Sequence, residues 1–262
     1  MSTPTPVLPL FYRNVVALSR DRHRGWYFDP DQGFSFAAGT NSVYIAAAEF
    51  AAAARELPLV FTRDAAGNAV PGALLGLAAE QNLMVDAQGG WRGTYVPAYI
   101  RRYPFILATS DAQSQQFTLC IDEAYSGFNT AKEGELLVND SGEQGPLLEK
   151  SVKFLQEFHQ HSLTTTKFCQ ALDQAQLLDS MQANISLNSG AKFSLSGFFC
   201  VTRERLQKLE AATVKQLLDS GALELIYLHM HSLANLDRLM GLAQEPAKPA
   251  PRARRPAKSS EA

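Results

Sequence analysis

The amino-acid sequence predicts an α+β fold of mixed, largely antiparallel strands with several helices, followed by a disordered basic tail. Three observations lead there. Strand-like and helix-like stretches succeed one another without the regular β-α alternation of a doubly wound sheet. Hydrophobic residues make up 46% of the chain, enough for a full core. No stretch approaches the roughly 18–20 apolar residues that cross a membrane. The folded body is expected over 1–245 as a single domain, with the tail over 246–262.

The N-terminal half supplies most of the strands. Tyr12 to Leu18 reads as a strand centred on Val15 and Val16. A charged turn follows, in which His23 is expected to be an exposed histidine packing at a strand end. Trp26-Tyr27-Phe28 is a second strand. Ala46 to Leu57 is alanine-rich, and alanine favours helix most strongly. Pro58 closes that segment, Leu59 to Thr62 is a strand, and Asp64 to Asn68 is a turn. Ala73 to Leu77 and Asn82 to Asp86 are expected to pair as a hairpin.

The middle of the chain carries its most distinctive stretch, Gly90 to Leu107. It holds one of the two tryptophans, three of the eight tyrosines and three arginines. Pro97 suits the start of a helical turn, and Pro104 disfavours helical angles at Tyr103. A short helix carrying Arg101 and Arg102 therefore feeds the buried strand Phe105 to Thr109. Gln116 to Asp122 is its expected antiparallel partner, with Ser110 to Gln115 as the loop. Ser126 to Asn139 reads as surface loop with a little local order.

Two helical segments follow, one opened by Gly145-Pro146 and one over Thr164 to Leu178, forming a helical hairpin or one bent helix. Gln182 to Leu187 and Phe193 to Val201 are strands turned by Ser189-Gly190. Short helices are expected near Leu206 and over Val214 to Asp219, with Gly221 as a left-handed cap. Leu223 to Met230 is nearly unbroken apolar sequence and reads as a strand. Ser232 then caps a last helix, Leu233 to Leu242.

Charge is divided between body and tail. The tail carries Lys248, Arg252, Arg254, Arg255 and Lys258 against Glu261, a net +4. That leaves −6 for residues 1–245 of a whole-chain −2. An acidic body disfavours broad nucleic-acid binding by the folded part. The tail is suited to a weak, salt-sensitive contact with a polyanion. Cys120, Cys169 and Cys200 are widely spaced and odd in number, with no Cys-x-x-Cys pair. Three reduced, mostly buried thiols in a reducing compartment are expected. The first ten residues lack a charged region and a continuous apolar region, so the expected compartment is the cytosol.

These residues also resemble the SapC family of bacterial proteins. The resemblance rests on His23, Glu49-Phe50, Pro58-Leu59-Val60-Phe61, Gly76-Leu77 with Asn82-Leu83, and Tyr95-Val96-Pro97 with Arg102-Tyr103-Pro104-Phe105. Later come Ser196-Gly197-Phe198, Gly221-Ala222-Leu223, and His229 with Ser232-Leu233-Ala234-Asn235. It covers roughly residues 8–242, and the basic tail lies outside it. The family takes its name from loci that make or export a bacterial surface layer. The resemblance therefore implies an accessory or interaction protein of the surface layer or envelope, with surface-layer or export components as protein partners. It implies no particular catalytic residue. A cytosolic accessory and a surface protein exported by a leaderless route both fit it.

Two groups of side chains are candidates for a site. Arg101 and Arg102, among Trp91, Tyr95 and Tyr99, have the chemistry of an anionic-ligand pocket: guanidinium forks bind carboxylates, and aromatic faces stack. A structural cation–π cluster is the favoured reading of the same residues. His229 and His231 would share one face of a strand and could ligate one metal, but no carboxylate stands at a motif spacing. The plainer reading is one histidine capping the next helix and the other packing beside Tyr227. His159 and His161 lie on a helix and diverge.

No dinucleotide, phosphate-binding, nucleophile-elbow or His-Glu-x-x-His motif occurs. No cofactor is called for. The expected role is a non-enzymatic accessory or interaction protein; the alternative is a metal-dependent enzyme or small-ligand binder at one of the two groups.

Overall fold

The computed structural model describes residues 8–109, 117–187 and 189–244. The chain begins with β1 (Val15–Ala17), β2 (Tyr27–Phe28), β3 (Ser42–Tyr44), the single-turn helix α1 (Phe50–Ala53), β4 (Leu59–Arg63) and β5 (Ala69–Leu74). Next come α2 (Ala98–Arg101), β6 (Phe105–Thr109), β7 (Phe117–Asp122), β8 (Phe128–Asn129), β9 (Glu135–Leu136) and the long α3 (Pro146–Gln174). It closes with β10 (Leu178–Ser186), β11 (Lys192–Val201), α4 (Arg203–Gln207), α5 (Ala211–Asp219), α6 (Ala222–Ser232) and α7 (Leu236–Gln244).

Among the described residues the strands form three antiparallel sheets, ordered β1-β7-β6, β10-β11-β4-β5-β3 and β8-β2-β9. The α+β class is therefore the observed one. The β6–β7 pairing is also the expected one, Phe105 lying opposite Ile121. The loop expected between them lies outside the described residues, as does the tail.

Among the described residues, two hydrophobic cores hold these layers. One gathers Ile45, Phe50, Leu57, Leu59, Phe61, Leu75 and Ile226 around the five-stranded sheet. The other gathers Phe28, Phe105, Ile121, Leu137 and Leu148. Helix α3 joins them. Pro146 occupies its first turn, and it runs 29 residues without a break, about 43 Å at 1.5 Å per residue. Leu148 and Leu155 enter the second core, whereas Phe168, Cys169 and Leu172 enter the first. The helical hairpin considered from sequence is thus one continuous helix.

Several expectations are corrected. Ala46 to Leu57 is not one helix: a short 3-10 turn at Ala47–Glu49 leads into the single turn α1. Tertiary bonds override alanine's preference here. Thr165 Oγ1 accepts the Ala47 N–H, and the Asn235 amide donates to the carbonyls of Ala54 and Leu57. Ala73 to Leu77 forms no strand ladder with Asn82 to Asp86; one backbone bond joins them, from the Leu83 N–H to the Leu75 carbonyl at 2.7 Å. Strand β5 pairs instead with β4 across the Asp64 turn, where the Asp64 carboxylate accepts N–H groups of Ala66 and Asn68.

The run Leu223 to Met230 is a helix, not a strand. Gly221 precedes α6 at φ 75°, and Ala222, Ile226, His229 and Ser232 are its buried positions. Spacings of four, three and three place those residues on one helical face. Ser232 does not cap the last helix; it lies at the end of α6 and bonds inward. The local order expected within Ser126 to Asn139 is the two-residue strands β8 and β9, which flank β2.

Gly76 is required where β5 leaves the sheet. A Cβ on it would collide with the Gln81 carbonyl, whereas one on Gly39 meets nothing within 4 Å among the described residues. Gly76→Ala should lower unfolding stability by about 2 kcal/mol or more in urea titration, as overpacking does. Gly39→Ala should stay within about 0.5 kcal/mol of wild type. Equal effects would show that the Gly76 turn shifts freely.

Candidate functional site

The aromatic–arginine stretch is built around buried acids. Glu49 accepts the Ala46 N–H at 2.9 Å, and the Tyr95 hydroxyl and the Ala98 N–H at 2.7 Å each. It thus holds the segment leading into α2. Burial, then the Glu49 carboxylate, pushes the Tyr95 hydroxyl far above the usual phenol range. Glu56 accepts from the backbone and hydroxyl of Thr94 and faces Arg238 at 3.4 Å. Trp91 donates its indole N–H to the Tyr95 carbonyl at 2.9 Å and packs edge-on against Phe34.

The adjacent arginines of the stretch, Arg101 and Arg102, part company. Arg101 lies over Phe154 and Tyr95, with ring centroids at 5.1 and 5.9 Å, and donates through Nε to the Val96 carbonyl. It lines a hollow of about 280 Å³ with Glu49, Glu157 and His161. Arg102 lies 3.9 Å over Tyr99, 5.2 Å from Phe158 and 5.8 Å from Tyr12. Its Nε is buried with no hydrogen-bond partner among the described residues. Ring faces meet this cation where an anion would otherwise stand, worth ~0.5–2 kcal/mol per contact.

The two late histidines do not share a face. They belong to helix α6, where residues two apart diverge by about 200°. His231 is exposed and His229 fully buried. The strand geometry behind a shared metal is therefore absent. The Val201 N–H donates to His229 Nε2 at 2.9 Å, which leaves the proton on Nδ1, 2.9 Å from the Leu59 carbonyl. Ser232 Oγ donates to the His229 carbonyl and accepts the Leu59 N–H. The pair thus ties α6 to β4 and β11. Among the described residues no three His, Cys, Asp or Glu side chains are grouped to hold a metal.

His23 corrects the sequence reading most sharply. It is fully buried, not exposed. Its Nδ1 accepts the Ser19 N–H at 2.9 Å, and its Nε2 faces Glu123 at 3.0 Å. Trp26 packs edge-on against the ring. Burial pushes the Glu123 carboxyl up, but His23 and Arg22 outweigh it and hold it below the usual range. Partners a hundred residues apart gave no local signal for this pair.

A cleft that sequence reasoning missed lies beside the stretch. Its volume is about 580 Å³, within the range of small-molecule sites. Its walls include Phe11, Tyr12, Phe36, Tyr103 and Tyr125, with Arg13, Gln32, Ser35 and Ser126 among its polar lining. Of the predicted site stretch, only the neighbouring Tyr103 reaches it. The tyrosine hydroxyls point away into the fold: Tyr12 donates to the Phe105 carbonyl, Tyr103 to Asp122 and Tyr125 to the Asp29 carbonyl. Asp122 is fully buried and also accepts N–H groups of Arg13, Asn14 and Ala124.

Fold and site together define an antiparallel α+β protein with an open aromatic cleft and an interior of tethered acids and histidines. The chain belongs to the SapC family, whose model matches residues 18–239. No curated protein and no solved structure matches it. No helix among the described residues is long and apolar enough to cross a membrane.

The buried histidine gives a pH signature. Desolvation lowers the His229 pKa from 6.5 to about 4. As pH falls below about 6.5 the unfolded chain takes up this proton first, so stability present above that pH is lost on the way to about 4. Between about pH 7.5 and about pH 4.5 the wild type should lose on the order of 2 kcal/mol more than His229→Gln, measured by urea unfolding. Parallel pH profiles would contradict the assignment of a neutral, buried His229.

Proposed function

We propose that this protein is a non-enzymatic accessory or interaction protein of bacterial surface-layer or envelope biogenesis or export, working by binding. The observation that carries the binding role is the use made of its buried acids and histidines. A general acid or base must present a free lone pair or proton to a substrate. Asp122, Glu49, His23 and His229 instead direct theirs at backbone groups and side chains of the fold. A nucleophilic thiol must be exposed and readily ionised. Burial pushes the Cys169 and Cys200 thiols up to about 12 and raises that of Cys120.

Family membership supports the envelope setting, through the surface-layer loci from which the SapC family is named. The three buried free thiols suit a reducing compartment, so the proposed place of action is the cytoplasmic side, upstream of the surface. Surface-layer or export components are the partners this reading calls for. The basic segment 246–262 adds a weak, salt-sensitive contact to a polyanion.

Deletion of the gene in its own bacterium tests the proposal. Surface and interior fractions would be compared by quantitative mass spectrometry. At least one envelope or surface-layer protein should fall several-fold at the surface, accumulate inside, and return on complementation. An unchanged surface composition would contradict the reading.

A further inference from the structure

The cleft beside the aromatic stretch has a recognisable chemistry. Phe36 and Tyr103 stand with ring centroids 4.4 Å apart, and Phe11 meets both edge-on at 5.3 and 6.2 Å. Because the tyrosine hydroxyls are engaged inside the fold, these walls present ring surface. Such surface selects flat, unsaturated ligands.

Phe11 is placed there at a conformational cost. The Tyr12 N–H donates to the Pro9 carbonyl, closing a turn in which Phe11 adopts φ 82°. Glycine is the usual residue at that angle, and another side chain there costs ~1–3 kcal/mol. Strain of this kind gathers where a side chain is wanted in a fixed place.

Among the described residues that line the cleft, Arg13 is the charged one. Arg13 is exposed, and its guanidinium makes no hydrogen bond or ion pair among the described residues. Its backbone is nonetheless fixed, since its N–H donates to buried Asp122 at 2.9 Å. The carboxylates of Asp29 and Asp31 stand outside the lining but close enough to Tyr125 that, after burial, they raise its hydroxyl further, and Asp29 is engaged by the Asp31 N–H and the Gln32 amide. A cation anchored at its root and open at its tip, beside ring walls, suits a ligand that joins a ring to an anion.

We propose that this cleft binds a small, flat ring compound bearing a carboxylate or a similar anionic group, with the ring against Phe36 and Tyr103 and the anion at Arg13. The proposal stands apart from the envelope reading, because it concerns what the cleft holds and is tested on the purified chain.

Two fluorescent probes provide the test. Anilinonaphthalene sulfonate joins a flat ring system to an anion, and phenylnaphthylamine is its neutral relative. The full-length chain should bind the sulfonate at one site. Arg13→Gln should weaken the sulfonate about tenfold or more, the loss expected of one charge-assisted contact. The same variant should leave the neutral probe within about twofold, because the ring walls are intact. Arg20→Gln, at an exposed position outside the cleft lining, should change neither. Ser126→Trp, which fills the cleft from its exposed rim, should abolish binding of both. Melting curves would establish that each variant is folded, and Arg13→Gln carries the test if Ser126→Trp is not. Unaltered sulfonate binding in Arg13→Gln, equal weakening in Arg20→Gln, or several weak sites per chain would each overturn the proposal.

Discussion

The carboxylate of Asp122 is the interaction on which the middle of this structure depends. It ends β7, is fully buried, and accepts three backbone N–H groups and one tyrosine hydroxyl. Arg13 and Asn14 lead into β1, Ala124 leads away from β7, and Tyr103 follows α2. One side chain therefore binds the entry of the chain, the exit of a central strand and the aromatic stretch. A buried carboxylate is costly unless its lone pairs are met, and here four donors meet them. The cleft is a by-product of the same knot, since Arg13 and Tyr103 reach its walls from groups that Asp122 holds.

Similar knots recur through the fold. Glu49 joins the 3-10 turn before α1 to the start of α2, and His229 with Ser232 joins α6 to β4 and β11. Each satisfies backbone groups that no ladder or helix could satisfy, as a buried chain requires. Helix α3 supplies the long-range rigidity by contributing to both cores. The architecture is thus several short elements fastened by buried polar side chains to one long helix and one five-stranded sheet. That use of acids and histidines explains why so many residues capable of chemistry are spent on structure.

Much of the framework was legible in the sequence. The strands β4, β6, β7 and β11 are apolar or alternating runs bounded by turn residues, β10 was read only from Gln182 because the helix before it was carried on to Leu178, and Pro146 and Gly221 marked helix boundaries by known backbone preferences. Helix α6 was not legible by period, because Leu223 to Met230 is apolar nearly all round. Its signal was finer: a glycine immediately before the run, and His229 falling on the same helical face as Ala222 and Ile226. Ala46 to Leu57 misled because alanine's preference yields to bonds from Thr165 and Asn235, each more than a hundred residues away. His23 was misread for the same reason, as Glu123 gives it a buried partner across the chain. The paired arginines were read together, as a structural cation–π cluster or else an anion pocket, and the turn of α2 sends them to different rings. The cleft could not be read at all: its walls come from the segment before β1, the turns before β3, the end of α2 and the residues after β7.

The most direct measurement is the unfolding free energy of Asp122→Asn, set beside that of Asp173→Asn. Asp173 pairs with Arg63 at 2.6 Å but is about a third exposed, so its loss should cost under about 1 kcal/mol. At Asp122 the amide would turn a donor toward backbone N–H groups and strand buried donors, costing about 3 kcal/mol or more. Urea titration at neutral pH should therefore separate the two variants clearly. If Asp122→Asn were no less stable than Asp173→Asn, the buried carboxylate would not be the fastening on which this part of the fold depends.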